Sequence, residues 1–147
     1  MNVAPWFAVM GRRSAVACIG WALFLAALAP ADHVHAQSAA QSVRLVVDYG
    51  DGVLKIFDHL PWSKGNTVLD VLNAAKSSPH GITLNYTGTG ASAFLTDIDG
   101  VQNQGGGSTA KNWQYWVNTT YADRSFAVFD VQAADTVFWR FSTFEGK

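Results

Sequence analysis

A single helical pattern stands among segments that alternate like β-strands, and it constrains the fold more than any other feature of this sequence. Apolar residues recur at the spacing of one helix face directly after Thr67, the predicted N-cap. Asp70 stands three residues after the cap, where its carboxylate can accept hydrogen bonds from the first helical turn. Pro79 follows and prevents continuation. The sequence therefore predicts one helix, from Val68 to about Ser77.

The remaining apolar segments are short and alternate with a period of two residues, which is typical of half-buried strands. The predicted strands are Val43–Tyr49, Val53–Leu60, Ile82–Thr87, Ala93–Ile98, Asn112–Asn118 and Thr136–Thr143, with the apolar segment Phe126–Val131 between the last two. Gln102–Ala110 has Gly105–Gly107 at its centre and predicts a flexible surface loop. Neither an internal repeat nor a regular alternation of strands and helices occurs. We therefore expect an α+β fold, with one helix packed on a mixed, mostly antiparallel sheet.

The first 36 residues have the organisation of an export signal. An arginine pair closes a charged segment, an apolar run of 15 residues follows, and small residues precede the expected cleavage site before Gln37. Because a membrane-spanning helix needs roughly 20 apolar residues, a cleaved signal is favoured over a membrane anchor. The predicted divisions are a signal peptide over 1–36, a short mobile leader over 37–42 and a single domain over 43–147. We therefore expect a periplasmic or extracellular protein that is not attached to the membrane after cleavage.

Charge and cysteine content exclude several classes of function. The chain has 10 Lys and Arg against 11 Asp and Glu, a formal net charge of -1, so it lacks the basic surface that attracts nucleic acid. Its only cysteine, Cys18, lies in the predicted signal peptide, so thiol chemistry and cysteine-bound zinc are excluded from the mature chain. His59 and His80 are isolated in the sequence, and no serine stands in a Gly-x-Ser-x-Gly motif. We expect no metal site, no cofactor and no catalytic machinery, and we expect a monomer.

The segment Asp97–Gly100 allows two other interpretations. It resembles a fragment of a calcium-binding loop, and Asp97 and Asp99 are carboxylates that a small hydrolase could use. The third acidic ligand and the terminal glutamate of an EF-hand loop are missing, so a simple turn is favoured.

Alternation within the two most aromatic strands predicts which face of the sheet is the core. The more apolar set of alternating residues is predicted to be buried against the helix: Trp113, Tyr115, Val117, Val137, Trp139 and Phe141. Trp116, Phe138 and Arg140 would then lie on the second face of the sheet. Aromatic rings beside an arginine suit sugar rings, planar ligands or a partner protein, and the Gly105–Gly107 loop would form an adaptable rim. Alternatively, loops or the segment around Trp62 cover this face.

Four short motifs stand in a fixed order along the chain. They are Asn66–Ala75, Phe94–Gly100, Trp113–Asn118 and Ala134–Phe141. As a set, from about Val43 to Phe141, they resemble a secreted bacterial domain of unknown function related to the C-terminal domain of transcobalamin and intrinsic factor. The resemblance implies a β-grasp, ubiquitin-like fold. The family usually has glycine where Thr119 and Ala134 stand in this chain.

The resemblance also implies a class of ligand. In the animal cobalamin carriers, the related domain covers one face of the corrin ring after a helical domain has bound it. Cobalamin is therefore a candidate ligand. We expect an exported, non-catalytic binding module that presents an aromatic sheet face to a small molecule of the corrinoid or glycan class, or to a partner protein. The alternative is a structural or adhesive domain that docks by edge-strand pairing.

Overall fold

The computed structural model describes residues 41–144, so the predicted signal peptide and most of the predicted leader lie outside the described residues. The described part contains one α-helix and eight strands. In chain order they are β1 (Ser42–Asp48), β2 (Leu54–Pro61), α1 (Val68–Lys76), β3 (Leu84–Thr87), β4 (Phe94–Ile98), β5 (Val101–Gln102), β6 (Lys111–Val117), β7 (Thr120–Tyr121) and β8 (Thr136–Thr143). The predicted α+β class is confirmed. Within residues 41–144, no helix is both long and apolar enough to cross a membrane.

Five strands form one mixed sheet in the order β2-β1-β8-β6-β7. The central strands β1 and β8 are parallel, and the other neighbours are antiparallel. Because side chains alternate along a strand, each strand offers one set of residues to the core and the other set to the opposite face. All six aromatic and aliphatic residues predicted as the core of β6 and β8 are buried. The face assignment made from alternation is therefore confirmed.

Helix α1 contributes its apolar side to the same core. Its buried residues are Val68, Val71, Leu72 and Ala75. Full burial of a Val or Leu side chain stabilises a fold by about 1.5–3 kcal/mol relative to exposure. At the start of the helix, the Asp70 carboxylate accepts hydrogen bonds from the Thr67 amide at 2.8 Å and from the Thr67 hydroxyl at 2.9 Å. The predicted cap is therefore present.

The apolar segment Phe126–Val131, between β7 and β8, is not part of a strand and instead supports the start of the helix. The carbonyls of Phe126 and Phe129 accept hydrogen bonds from the amides of Leu69 and Val68, both at 3.0 Å. These amides belong to the first turn, where a helix provides no carbonyl partners of its own. Phe126 itself is buried. The segment thus joins the core through its side chains and the helix through its backbone.

A second, three-stranded antiparallel sheet consists of β3, β4 and β5. In the β4–β5 turn, the Asp97 carboxylate accepts a hydrogen bond from the Gly100 amide at 3.0 Å. Asp99, in the same turn, has a positive φ of 51°. A short polar side chain tolerates this left-handed conformation better than most residues do. The turn interpretation of this segment is therefore supported.

The turn before β8 holds a residue that is poorly suited to its backbone conformation. Ala134 has a φ of 68°, in the left-handed region. Its amide donates to the Ser42 carbonyl at 2.8 Å, which fixes the turn against the start of β1. The Asp135 side chain holds the other side of the turn, accepting from the Gln132 amide at 2.7 Å and from the Asn118 amide group at 2.9 Å. The surrounding hydrogen bonds thus impose a conformation that alanine disfavours.

Candidate functional site

Trp116, Phe138 and Arg140 lie together on the sheet face opposite the core. Trp116 pairs directly with Phe138 across β6 and β8, and their ring centres are 5.7 Å apart. The guanidinium carbon of Arg140 lies 5.0 Å from the centre of the Phe138 ring, within the range of a cation–π contact. Both aromatic side chains are half-buried, and Arg140 is exposed. The structure thus brings the three residues predicted from the sequence into one patch.

This patch is part of an apolar row that crosses the whole five-stranded sheet. Consecutive members face each other across neighbouring strands: Ile56, Val46, Phe138, Trp116 and Tyr121. Ile56 is 46% exposed, and the other four are half-buried. We call this row, together with Arg140, the aromatic face. It contrasts with the core side of β1, β6 and β8, where the aromatic and aliphatic residues are buried.

Trp62 does not provide the alternative cover for the aromatic face. Its indole nitrogen donates to the Val131 carbonyl at 2.8 Å, and its ring packs against the core cluster. The ring is therefore committed to the core side.

Ion pairs border the apolar row on both sides. The Arg140 Nε lies 2.8 Å from an Asp48 carboxylate oxygen, and the Arg44 Nε lies 2.9 Å from Asp58. Pairs of this exposure add little stability, about 0–1 kcal/mol. Their effect is orientation, because Asp48 holds the Arg140 side chain over Phe138. The guanidinium has five N–H donors, so donors remain for a ligand placed on the aromatic face.

A cavity of about 650 Å³ opens beside β6, around the edge of the sheet. Its aromatic lining residues are Phe94, Trp113, Tyr115, Tyr121, Phe126, Trp139 and Phe144. Phe94 and Phe144 are 57% and 63% exposed. Tyr121 connects the two surfaces, since its ring centre is 5.3 Å from that of Trp116 and 6.2 Å from that of Phe144. The cavity and the aromatic face are therefore adjacent.

The sequence did not predict this cavity. Phe94 begins β4, whereas Phe144 follows β8, and nothing in the local pattern of either residue indicates that they meet. The one signal in the sequence was that both are large apolar residues at strand ends. Tyr115, in the wall, donates its hydroxyl to the Arg124 carbonyl at 2.7 Å, and burial raises the pKa of this tyrosine. Its hydroxyl is therefore a neutral structural donor.

The glycine-rich loop lies beside β6 and not at Trp116. Gly105 lines a smaller cavity of about 340 Å³ together with Phe94 and Phe144. The base of the loop is fixed by Asn103, whose side chain accepts from the Trp113 amide at 2.7 Å and donates to the Leu95 carbonyl at 2.6 Å. The loop was predicted to form a rim for the aromatic face, but it borders this smaller cavity instead.

The Asp99 carboxylate links the two sheets through hydrogen bonds that it accepts from other groups of the protein. Its carboxylate accepts from Lys55 at 2.8 Å, from the Thr83 amide at 2.7 Å and from the Tyr49 hydroxyl. Burial alone would raise the pKa of Asp99, but the hydrogen bonds from Lys55, Tyr49 and Thr83 outweigh it and lower the pKa. Burial, followed by the bond to the Asp99 carboxylate, raises the pKa of Tyr49. This arrangement stabilises the contact between the sheets.

No candidate metal centre occurs within the described part of the chain. Among residues 41–144, no three His, Cys, Asp or Glu side chains come together in a way that could hold a metal ion. His59 and His80 are both exposed. His80 has a positive φ of 56°, in the turn that follows the helix.

Comparison with known proteins identifies the family. The profile described as Domain of unknown function (DUF4430) matches residues 65–143, which is more than half of the chain. The chain belongs to this family. The match includes α1, β6 and β8, which carry the core and two strands of the aromatic face. The predicted resemblance to a domain of unknown function is confirmed.

A solved structure of haptocorrin in complex with Cbi is similar to this DUF4430 chain. The TM-score is 0.56 and the sequence identity is 15%, and the likeness covers 71% of this chain and 25% of that one. The chain thus spans about a quarter of that haptocorrin chain, and at this identity the likeness shows a shared fold. No curated protein matches the sequence.

Proposed function

We propose that this DUF4430 chain is an exported, non-catalytic binding module of the β-grasp type, and that its ligand lies on the aromatic face. The observation that carries the proposal is the apolar row across all five strands, which ends at Trp116 and Tyr121 and has Arg140 beside it. Such a row is unnecessary for the core, which lies on the other side of the sheet. Contiguous apolar surface that remains accessible to solvent marks binding sites in proteins.

The chemistry of the aromatic face favours a ligand with a flat apolar surface and a polar edge. Trp116 and Phe138 offer ring faces and edges, and Arg140 offers charged donors oriented by Asp48. A corrinoid or a glycan has this combination of features. The similar haptocorrin was solved in complex with Cbi, which supports including corrinoids in the first set of ligands. A partner protein is the remaining candidate for the same surface.

Export and the absence of catalysis are parts of the same proposal. The charged and apolar organisation of residues 1–36 supports export. The carboxylates first considered for hydrolysis, those of Asp97 and Asp99, already accept hydrogen bonds from the protein itself. A monomer with no cofactor and no metal, as expected from the sequence, is consistent with a module that acts by binding.

Tryptophan fluorescence tests the proposal directly. The protein is titrated with a panel of corrinoids and oligosaccharides, comparing the wild type with Trp116→Phe and Phe138→Ala. We expect one ligand class to change the emission and bind the wild type, with binding weakened about tenfold or more in Phe138→Ala. Trp62→Phe is the matched control, because Trp62 packs on the core side and its replacement should leave the affinity unchanged. Equal affinities in the wild type and Phe138→Ala would refute binding at this face.

The alternative function, docking by edge-strand pairing, is favoured by the exposed edge of the sheet at β2. This strand of eight residues pairs only with β1, and Leu54 is 52% exposed. The Tyr49 amide donates to the Val53 carbonyl, so by alternation the Leu54 amide faces outward. Leu54→Pro removes that outward donor and should abolish pairing with a partner strand while the fold remains. A partner retained by Leu54→Pro but lost from Phe138→Ala would assign docking to the aromatic face.

A further inference from the structure

On the side of β6 that faces away from β8, the hydrogen-bonding partners of the strand leave a gap one residue long. The backbone groups of the odd-numbered residues in β6 point away from β8, as their hydrogen bonds show: the Lys111 amide and carbonyl bond to Gln104, and the Tyr115 carbonyl accepts from the Ala122 amide. The Trp113 amide donates to the Asn103 side chain. These groups of the chain itself take the place of a neighbouring strand on either side of the gap.

Two backbone groups remain unused at the gap. Among residues 41–144, no partner bonds to the Trp113 carbonyl or to the Tyr115 amide. They belong to residues i and i+2 of one strand, and both face outward. In a parallel sheet, a single residue of the added strand donates its N–H to the first of two such groups and accepts from the second through its C=O. The unused pair therefore matches one extended peptide residue.

The cavity of about 650 Å³ lies at this same place. Both Trp113 and Tyr115 line it, and the exposed rings of Phe94 and Phe144 flank it. Trp139, also in the lining, is 2% exposed, and its indole Nε1 is a buried donor without a partner among the described residues. Buried donors without a hydrogen-bond partner are uncommon in protein interiors, and each one destabilises the fold while it stays unpaired. The site thus combines two unpaired backbone groups of β6 with surrounding aromatic side chains.

We propose that this cavity binds an extended peptide, with one residue that pairs in parallel with β6 at Trp113 and Tyr115 and carries an aromatic or aliphatic side chain between Phe94 and Phe144. The peptide crosses the cavity and does not extend the sheet, because Asn103 blocks one end of the gap and Ala122 the other. Its main chain supplies affinity through the two hydrogen bonds, and the ring pocket supplies specificity. This site adjoins the aromatic face at Tyr121 but does not depend on the function proposed for that face.

Capped pentapeptides with alanine at four positions and Phe, Trp, Leu or Ala at the centre are the probes. They are titrated into ¹⁵N-labelled protein expressed from the 147-residue sequence. We expect the Tyr115 amide resonance to shift with the Phe, Trp or Leu peptide and to shift less with the alanine peptide. N-methylation of the central residue removes the donor to the Trp113 carbonyl, so binding should fall about tenfold. N-methylation of the next residue, whose amide faces away from β6, is the matched control and should leave the affinity unchanged.

Protein variants locate the side-chain pocket. Phe94→Ala and Phe144→Ala change exposed rings and should each weaken the best peptide about fivefold. Val53→Ala changes a similarly exposed apolar residue in the turn before β2, and it should leave the affinity unchanged. A Tyr115 amide that stays unshifted by every peptide at about 1 mM, or equal binding of both N-methylated peptides, would overturn the proposal. An oligosaccharide that shifts the Tyr115 amide when the peptides do not would also overturn it. A peptide that shifts only the Trp116 resonances would refute the site beside β6 and would support binding at the aromatic face.

Discussion

Ala134→Gly should make this protein more stable, although removing a side chain usually has the opposite effect. Ala134 has a φ of 68°, and a residue with a Cβ atom loses about 1–2 kcal/mol in the left-handed region. Glycine adopts this conformation freely but leaves the unfolded chain more flexible, which costs about 0.4–1 kcal/mol. The Ala134 side chain is exposed, so little packing is lost. The difference predicts a net stabilisation of about 0.5–1 kcal/mol.

Urea unfolding and thermal denaturation measure this change. For a domain of this size, we expect the midpoint of thermal unfolding to rise by about 2–5 °C. The slope of the unfolding free energy against urea concentration should not change. Ala133→Gly is the matched control, since Ala133 is the adjacent alanine and does not have a positive φ. There the same substitution should destabilise by about 0.5–1 kcal/mol. If Ala134→Gly were as unstable as Ala133→Gly, the argument from backbone strain at this turn would be wrong.

Three further substitutions test the contacts that hold the fold. Asp99→Asn should lower the stability at pH 7 by about 2 kcal/mol, because it weakens the charged hydrogen bonds from Lys55 and Thr83. The pKa of Asp99 is lowered in the folded state, so its contribution to stability is complete above the ordinary aspartate pKa of about 3.9 and is lost as the pH falls through the lower folded pKa. In urea unfolding from pH 7 to pH 2, the stability deficit of the variant should shrink only below about pH 4. A deficit that is constant over this range would contradict this account. Asp70→Ala should cost about 1 kcal/mol in urea unfolding by removing the carboxylate bound to the Thr67 amide, whereas Asp70→Asn should recover part of the loss. Leu72→Ala, at a fully buried helix position, should cost about 2–5 kcal/mol, and a cost below 1 kcal/mol would mean that α1 is not packed as described.

The elements that could be predicted from the sequence are those whose signal is local. Alternation in β6 and β8 is uninterrupted, so it determined which residues are buried and placed Trp116 and Phe138 on one face. The helix could be predicted because its cap and its apolar spacing agree, and its observed end at Lys76 is one residue from the predicted one. Strand β7 has only two residues and therefore no period to detect.

The pairing of the strands could not be predicted in the same way. That β1 lies parallel to β8, close to a hundred residues later, depends on contacts that no local window contains. The relation between the two sheets has the same origin, since the Asn103 side chain links β4 to β6 through hydrogen bonds to Leu95 and Trp113. Asn103 was included in a flexible loop because its neighbours are polar and glycine-rich. Its role in holding the edges of both sheets is a property of the folded chain.

The same distinction explains why one candidate site was foreseen and the other was not. The aromatic face is made by side chains on adjacent strands at matching alternation, so its residues share a pattern that is visible in the sequence. The cavity beside β6 exists because the chain turns away after Ala122 and because Asn103 fills only part of the edge. Its distinctive groups are a backbone carbonyl and a backbone amide, which every residue has. A site of this kind leaves no residue signature, and only the hydrogen-bond pattern of the folded chain can reveal it.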